Sequence, residues 1–366
     1  MSYSRGISAV NFKKTDKIPR LETLKGLSAE AIKRLTGKNP YKYRVEEWFI
    51  ELVKAFDVDM IWGCIPETKN VQRNIKDDIS TRISADNKLA GAWGVFTTSA
   101  HVGGKLFDTN VQSPEDAIKF KPLSFFKESS AQLVEQYSNE HINTKKHVGN
   151  RAVVVGHFYH TLFHWMISCF NWENFMIAAA MDENKFKRII DEFAELSCRH
   201  IKAWSEVDGL EVFISHDDIA ITRGLVFRPD WYRKYILPWY PIVWAPLKKK
   251  GIKIIYVSDG NYSELVEDIA EAGADGFIFE PLVDLQMMVD KFGGSKILIG
   301  NIDTKILTFG SKDDITNEVN RVIDVAGRCP GFFINASGGL PQNIPLENLL
   351  HYLKLSESKR KMDEKI

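Results

Sequence analysis

The chain has 366 residues, with 48 basic and 48 acidic side chains, so its formal net charge is zero and its pI is near 7.1. Hydrophobic residues make up 44% and charged residues 26%, which excludes a disordered chain and leaves room for one large domain or two to three smaller ones. The neutral balance also excludes the broad basic field by which nucleic acid or an anionic membrane is attracted at long range.

In chain order, Ser28 caps a short amphipathic stretch, SAEAIKRLTG, closed by Gly37. A helix is expected over Arg44 to Phe56, with Trp48, Phe49, Leu52, Val53 and Phe56 on one face. DVDMIWG (57–63) reads as a strand. Residues 64–150 show no clear period and are read as an irregular lid or insertion. From Arg151 to residue 355 the pattern is regular. Apolar runs at RAVVVG (151–156), LEVFIS (210–215), IKIIYVS (252–258), DGFIFE (275–280), KILIGN (296–301) and GFFINA (331–336) alternate with helical segments. The helices are Asn184–Val207, Asp230–Lys250, Tyr262–Ala272, Leu285–Phe292 and Ser311–Ala326. Runs apolar on both faces, separated by helices, predict a parallel sheet. No G-x-G-x-x-G follows any strand, so a barrel is preferred to a dinucleotide-binding sheet. The expected fold is a single α/β domain over residues 1–366, a (β/α)8 TIM barrel with N-terminal helices over 1–56 and a lid-like insertion.

No apolar run approaches the ~18–20 residues of a membrane-spanning helix, and Met1 to Lys14 hold no secretion-signal stretch. Cys64, Cys169, Cys198 and Cys329 form no C-x-x-C pair, so neither a disulfide framework nor a cysteine-built structural zinc site is expected. A cytoplasmic protein follows as the expectation, with a homodimer left open.

In a barrel, function sits after the carboxyl ends of the strands. Those ends carry His157, then His216-Asp217-Asp218, Ser258-Asp259-Gly260-Asn261, Glu280-Pro281, Asn301-Ile302-Asp303 and Asn335-Ala336-Ser337. Asp259 and Glu280 follow neighbouring strands, and as a buried carboxylate pair they could hold zinc or share a proton. The period of a strand makes His216 and Asp218 a same-side pair, with salt bridges from Asp218 to Arg223 or Arg228 as the structural alternative. His157, His160 and His164 (HFYHTLFH) read as a helix lining an aromatic pocket, with His157 nearest the mouth. Trp93, Phe96, Phe158, Tyr159, Phe163 and Trp165 would supply stacking area for a flat substrate. Asn301 and Asn335 are candidate hydrogen-bond partners for it, or caps at the strand ends.

The segments KKTDKIPRLE, HDDIAITRGLVFRPDWYRKYILPWYPIVWAPLKKKGIKIIYVSDGN, AGADGFIFEP, ILIGNID and NIPLENL resemble the uroporphyrinogen decarboxylase superfamily, over about Lys13 to Leu353. The resemblance implies one (β/α)8 barrel with its site in the mouth. The R-Q-A-G-R segment by which the true decarboxylases bind substrate carboxylates is absent; the region reads NFKKTDKIPRLETLKG. The chain is more similar to the corrinoid-linked methyltransferase branch. The H-x-C and later Cys zinc ligands of that branch's thiol-methylating members are replaced by Val257-Ser258-Asp259 and Ser337-Gly338-Gly339. The resemblance implies methyl transfer from an O-methyl donor, such as a methoxylated aromatic, to the Co(I) corrinoid of a partner protein. This chain has no D-x-H-x-x-G segment to carry the cobalamin itself. The implied catalytic residues are Asp259, Glu280 and Asp218. Substrate would be bound by His157, His160, Trp93, Tyr159, Asn301 and Asn335, and a zinc ion would take Asp259, Glu280 or His216. A lyase acting on another substrate, or a barrel that only binds a ligand, are the alternatives.

Overall fold

Strands form where the Val, Ile and Phe runs lie. In the computed structural model, residues 2–63, 65, 106–107 and 109–361 are described. The strands are β1 Met60–Ile61, β2 Val153–Val154, β3 Gly156–Phe158, β4 Val212–His216, β5 Ala220–Ile221, β6 Gly224–Leu225, β7 Lys253–Val257, β8 Gly276–Ile278, β9 Ile297–Ile302 and β10 Phe332–Ala336. The fold is α/β, with mostly parallel strands. Among the described residues no helix is long and apolar enough to cross a membrane. The chain divides into two compact units.

The first unit comprises Met1–Val95, Glu140–Val155 and Gly276–Ile366. Its strands β8, β9 and β10 pair parallel in that order, and β1 pairs parallel with β2. Between β10 and β1 lies the segment 19–21, bridged to Ile334 through Arg20 and to Met60 through Leu21, both parallel. Beneath it is a buried ionic junction. Asp59 accepts from Arg5 (2.6 Å), Arg360 (2.9 Å) and the backbone N–H of Arg20 (2.8 Å), joining helices Ser2–Val10 and Leu346–Lys359. Burial pushes the Asp59 carboxyl up to about 6 against the two guanidinium groups, so it is ionised at pH 7.

The second unit comprises Phe96–Asn139 and Gly156–Asp275. Here β3, β4 and β7 pair parallel, β4 in the centre, with Phe158 opposite Ser215 and His216 opposite Val257. The register brings the three carboxyl ends to one edge. Gly156 permits close packing, since a Cβ there would stand 2.9 Å from the buried ring of Trp204. The 23-residue helix Glu183–Ser205 is capped by Asp182 and buries Phe186, Ile189, Ile190, Phe193 and Trp204 on one face.

Three features differ from the pattern read in the sequence. The expected helix Asp230–Lys250 is interrupted: Pro229–Tyr235 and Tyr240–Lys249 are separated by a turn at Leu237–Trp239, because Pro238 has no N–H to continue the ladder. Within the stretch read as irregular, Pro114–Lys119, Pro122–Phe125 and Ser130–Val148 are helical. The HFYHTLFH run is not one helix. His157 lies on β3, His160 in the following turn, and the helix begins only at Phe163.

Candidate functional site

The site lies in the second unit, where β3, β4 and β7 end. The ladder runs one residue beyond β4, the N–H of Asp217 bonding the carbonyl of Val257 at 3.0 Å. Alternation then turns His216 and Asp218 to one side and Asp217 to the other. His216 Nε2 stands 2.8 Å from Asp218 Oδ1, as the spacing predicted. Asp218 Oδ1 also accepts the backbone N–H of Asp259 (2.9 Å), and Oδ2 accepts the phenol of Tyr159 (3.1 Å), with His164 Nδ1 at 3.5 Å.

Several groups therefore converge on one buried carboxylate. Burial alone would raise Asp218, but the imidazole of His216 and its hydrogen bond hold it well below the usual carboxylate range. The reverse holds for His216: burial opposes its charge, yet Asp218, with Asp259 and Asp217, raises it above an ordinary histidine. Burial and the charges of Asp218 and Asp259 push the Tyr159 phenol up, so it serves as a donor and not as a phenolate. His160 is held neutral by burial and by the neighbouring His164 and His216.

Asp217 faces the opposite way and accepts four hydrogen bonds. Three come from the backbone N–H groups of Leu162 (3.1 Å), Phe163 (2.9 Å) and His164 (2.8 Å), and one from the phenol of Tyr240 (2.9 Å). Helix Phe163–Phe170 has no capping side chain of its own at Leu162, so Asp217 satisfies its first N–H groups. Tyr256 donates to the Asp217 carbonyl at 2.9 Å. Burial pushes the Asp217 carboxyl up to about 6 against these donors, and it is ionised at neutral pH.

The loops after β4 and β7 are joined. Ser258 Oγ accepts from the N–H of Ile219 (3.1 Å), and the N–H of Asn261 donates to the Ile221 carbonyl (3.1 Å). Gly260, at φ +78°, makes this approach feasible, because a Cβ would lie 2.6 Å from the Ile221 carbonyl.

The other expected residues fall as follows. One ligand atom each from His216, Asp218 and Asp259 lies within 4.8 Å of the others, so the metal-capable cluster is built on β4 and β7. Glu280 is in the first unit, its Oε1 3.2 Å from where a Cβ on Gly338 would stand. Asn301 and Asn335 are also in the first unit and hold backbone. Asn301 donates to Val283 O (3.2 Å) and accepts from Arg321 (3.1 Å), while Asn335 donates to Leu21 O (3.0 Å). His157 is half-buried, its ring centroid 6.1 Å from Trp204. His160 is buried, bonded to Ser168 Oγ at 2.9 Å and stacked on Trp165 at 4.7 Å. Trp93 and Phe96 lie outside the described residues. The roles of Asp217 and His164 were not read from the sequence, because the link between them spans 53 residues.

The model described as uroporphyrinogen decarboxylase (URO-D) matches residues 104–358. Uroporphyrinogen decarboxylase of Carboxydothermus hydrogenoformans is 26% identical over 167 residues, 46% of this chain and 46% of that protein. That of Geobacter sulfurreducens is 26% identical over 186 residues, 50% and 52% of the two chains. The chain thus spans about half the length of the curated relatives it matches. Among solved structures, a methyltransferase from Methanosarcina mazei has the same fold, with TM-score 0.61, 16% identity and 98% of each chain covered.

Proposed function

The chain belongs to the uroporphyrinogen decarboxylase (URO-D) family, and from that premise we propose that it is an enzyme of the family's corrinoid-linked branch. In this reading it is a (β/α)8 barrel of the cytoplasm that moves a methyl group from an O-methyl donor, such as a methoxylated aromatic, to the Co(I) corrinoid of a partner protein. The fold likeness to a methyltransferase over nearly the full chain agrees with that branch. The observation that carries the reading is the convergence of His216, Tyr159 and the backbone of Asp259 on Asp218.

The corrinoid would supply a two-electron nucleophile for the methyl carbon. The task left to this chain is the leaving oxygen, which takes the electron pair of the C–O bond and is a poor leaving group unless its charge is met. Asp218, bonded at Nε2, keeps His216 as an imidazolium, and the Nδ1–H proton passes to the ether oxygen as the bond breaks. The neutral imidazole is then recharged from solvent. General acid help of this kind contributes roughly 10²–10⁴-fold. Tyr159 holds Asp218 through the other carboxylate oxygen, with its ring edge against the His216 imidazole.

The same donor set fits a zinc ion. An imidazole and two carboxylates are suitable ligands, and three of them leave the open position that catalytic sites keep. Zinc there would meet the charge on the oxygen as a Lewis acid in place of the proton.

The decarboxylase relatives favour a second reading, a lyase on another substrate. A polycarboxylate substrate calls for several fixed cations, whereas the groups meeting at Asp218 are imidazole, phenol and backbone N–H. The test is incubation of the purified protein with a chemically reduced corrinoid and a panel of methoxylated aromatics. Methyl transfer is read as the spectral change from Co(I) to methyl-cobalt. Transfer abolished in Asp218→Asn supports the reading, and release of CO2 from an aromatic acid without methyl transfer replaces it with the lyase.

A further inference from the structure

We propose that Asp217 is a positioning residue of this site, acting through His164. The inference rests on the methyltransferase reading only for the reaction it serves; its geometry stands apart from that reading.

Adjacent carboxylates at the end of β4 divide two tasks. Asp218 faces the imidazole of His216, and Asp217 faces into the protein beneath it. Asp217 engages two elements at once. Its oxygens take the N-terminal N–H groups of helix Phe163–Phe170, and Tyr240 of helix Tyr240–Lys249 closes the set. One residue earlier, the turn and β4 are joined a second time. Thr161 N–H donates to His216 O (3.0 Å), Thr161 Oγ1 meets Ser215 Oγ (2.7 Å), and Trp244 Nε1 donates to the same Ser215 oxygen (2.8 Å). The segment 159–164 is therefore held by three successive residues at the end of β4, Ser215, His216 and Asp217.

That turn carries Tyr159 and His164, both of which face Asp218. Their rings meet edge to face, with centroids 4.8 Å apart and planes at 89°, and Tyr159 meets His216 in the same way at 4.1 Å. Displacing the helix start by a fraction of an ångström moves His164 Nδ1 along its 3.5 Å line to Asp218 and tilts it on the Tyr159 ring. Asp217 is suited to prevent this because an ionised carboxylate can accept at four or so lone-pair positions. An amide has one oxygen and would turn N–H against N–H. The second histidine of the site is thus fixed by a carboxylate that does not face the reaction.

The experiment compares wild type, Asp217→Asn and Tyr240→Phe in three measurements. The first is the 13C-resolved ring resonances of His164 and His216, which sense the Tyr159 ring and need no substrate. The second is zinc affinity by titration with the metal alone. The third is kcat and KM for methyl transfer. Asp217→Asn should shift the His164 resonance, weaken zinc at least tenfold and lower kcat at least tenfold with KM within twofold. Tyr240→Phe, which leaves the three backbone bonds in place, should produce the same changes at smaller size. Should Asp217→Asn fail to fold, Tyr240→Phe decides alone by the His164 shift. A variant that is less stable but has unchanged His164 resonances, zinc affinity and kcat would overturn the proposal and reduce Asp217 to a helix cap. Absence of methyl transfer by the wild type, with the His164 shift present, would remove the reaction and leave the positioning role intact.

Discussion

Tyr159 and His216 both address Asp218, on different oxygens: the phenol donates to Oδ2 at 3.1 Å and the imidazole meets Oδ1 at 2.8 Å. The carboxylate thus joins a residue of the turn after β3 to a residue of β4. Tyr159→Phe keeps the ring against His164 and His216 and removes only the donor. We expect kcat to fall about 10- to 100-fold, with a loss of stability of about 1.5–3 kcal/mol, the scale of one hydrogen bond to a charged group. Steady-state kinetics and urea unfolding check it, and unchanged kcat would remove Tyr159 from the site.

The His216–Asp218 pair sets a pH response. His216 is raised chiefly against burial by Asp218, so in the ion-free protein it stays protonated to higher pH than an ordinary histidine. Asp218 is lowered and stays ionised well into acid. Proton donation by His216 should therefore be lost on the alkaline side, as pH rises through its raised value. Asp218→Asn should move the His216 titration midpoint toward lower pH. An NMR titration of the His216 ring, with chelator present, gives the direction; an unmoved midpoint contradicts the pairing.

Metal uptake separates the two carboxylate sets. In the zinc form of the site, in which the ion replaces the His216 proton, elemental analysis should find zinc near one per chain in wild type and in Glu280→Ala, and much less in His216→Ala, Asp218→Ala and Asp259→Ala, the three that share one locus. Loss in Glu280→Ala as well would support the carboxylate pair expected from strand order.

Acid sensitivity has a separate source at His200. This residue is 8% exposed, its Nδ1 2.6 Å from the Tyr137 phenol oxygen and its ring stacked on Phe158. Burial, with Arg199 adding to it, lowers its pKa to about 4. Because the unfolded chain takes up this proton near pH 6.5 and the folded one near 4, stability should fall as pH drops through that window, by up to about 3 kcal/mol. Urea midpoints at pH 7 and pH 4.5 should converge in His200→Gln relative to wild type. An equal pH slope in both would exclude His200 as the cause.

Gly260→Ala should cost roughly 2–3 kcal/mol, from the positive φ and the collision with Ile221. Faster exchange of the Asn261 amide, which bonds Ile221 O, locates the damage. Wild-type exchange there would mean that the loop tolerates the methyl group.

Much of this architecture was legible because strands buried on both faces are written as continuous Val, Ile and Phe runs, and β4, β7, β8, β9 and β10 fall where those runs lie. His216 and Asp218 were legible too, since a period of two needs no tertiary knowledge. HFYHTLFH was not. Its apolar and histidine spacing suits a helix throughout, but the helix starts at Phe163, where a carboxylate far along the chain supplies the cap. Strand order brought Asp259 and Glu280 together as a pair, yet the bond that fixes the loop of Asp259 is its own backbone N–H to Asp218, which no residue type announces.

The contact of Gly260 with Ile221 makes two loops a single inherited part. A loop after β4 exchanged for that of a relative would arrive with a hairpin that no longer fits the turn at Gly260. Changes of specificity in this scaffold should therefore be engineered by moving 219–226 and 260–261 together, with Asp217, Asp218 and Asp259 kept.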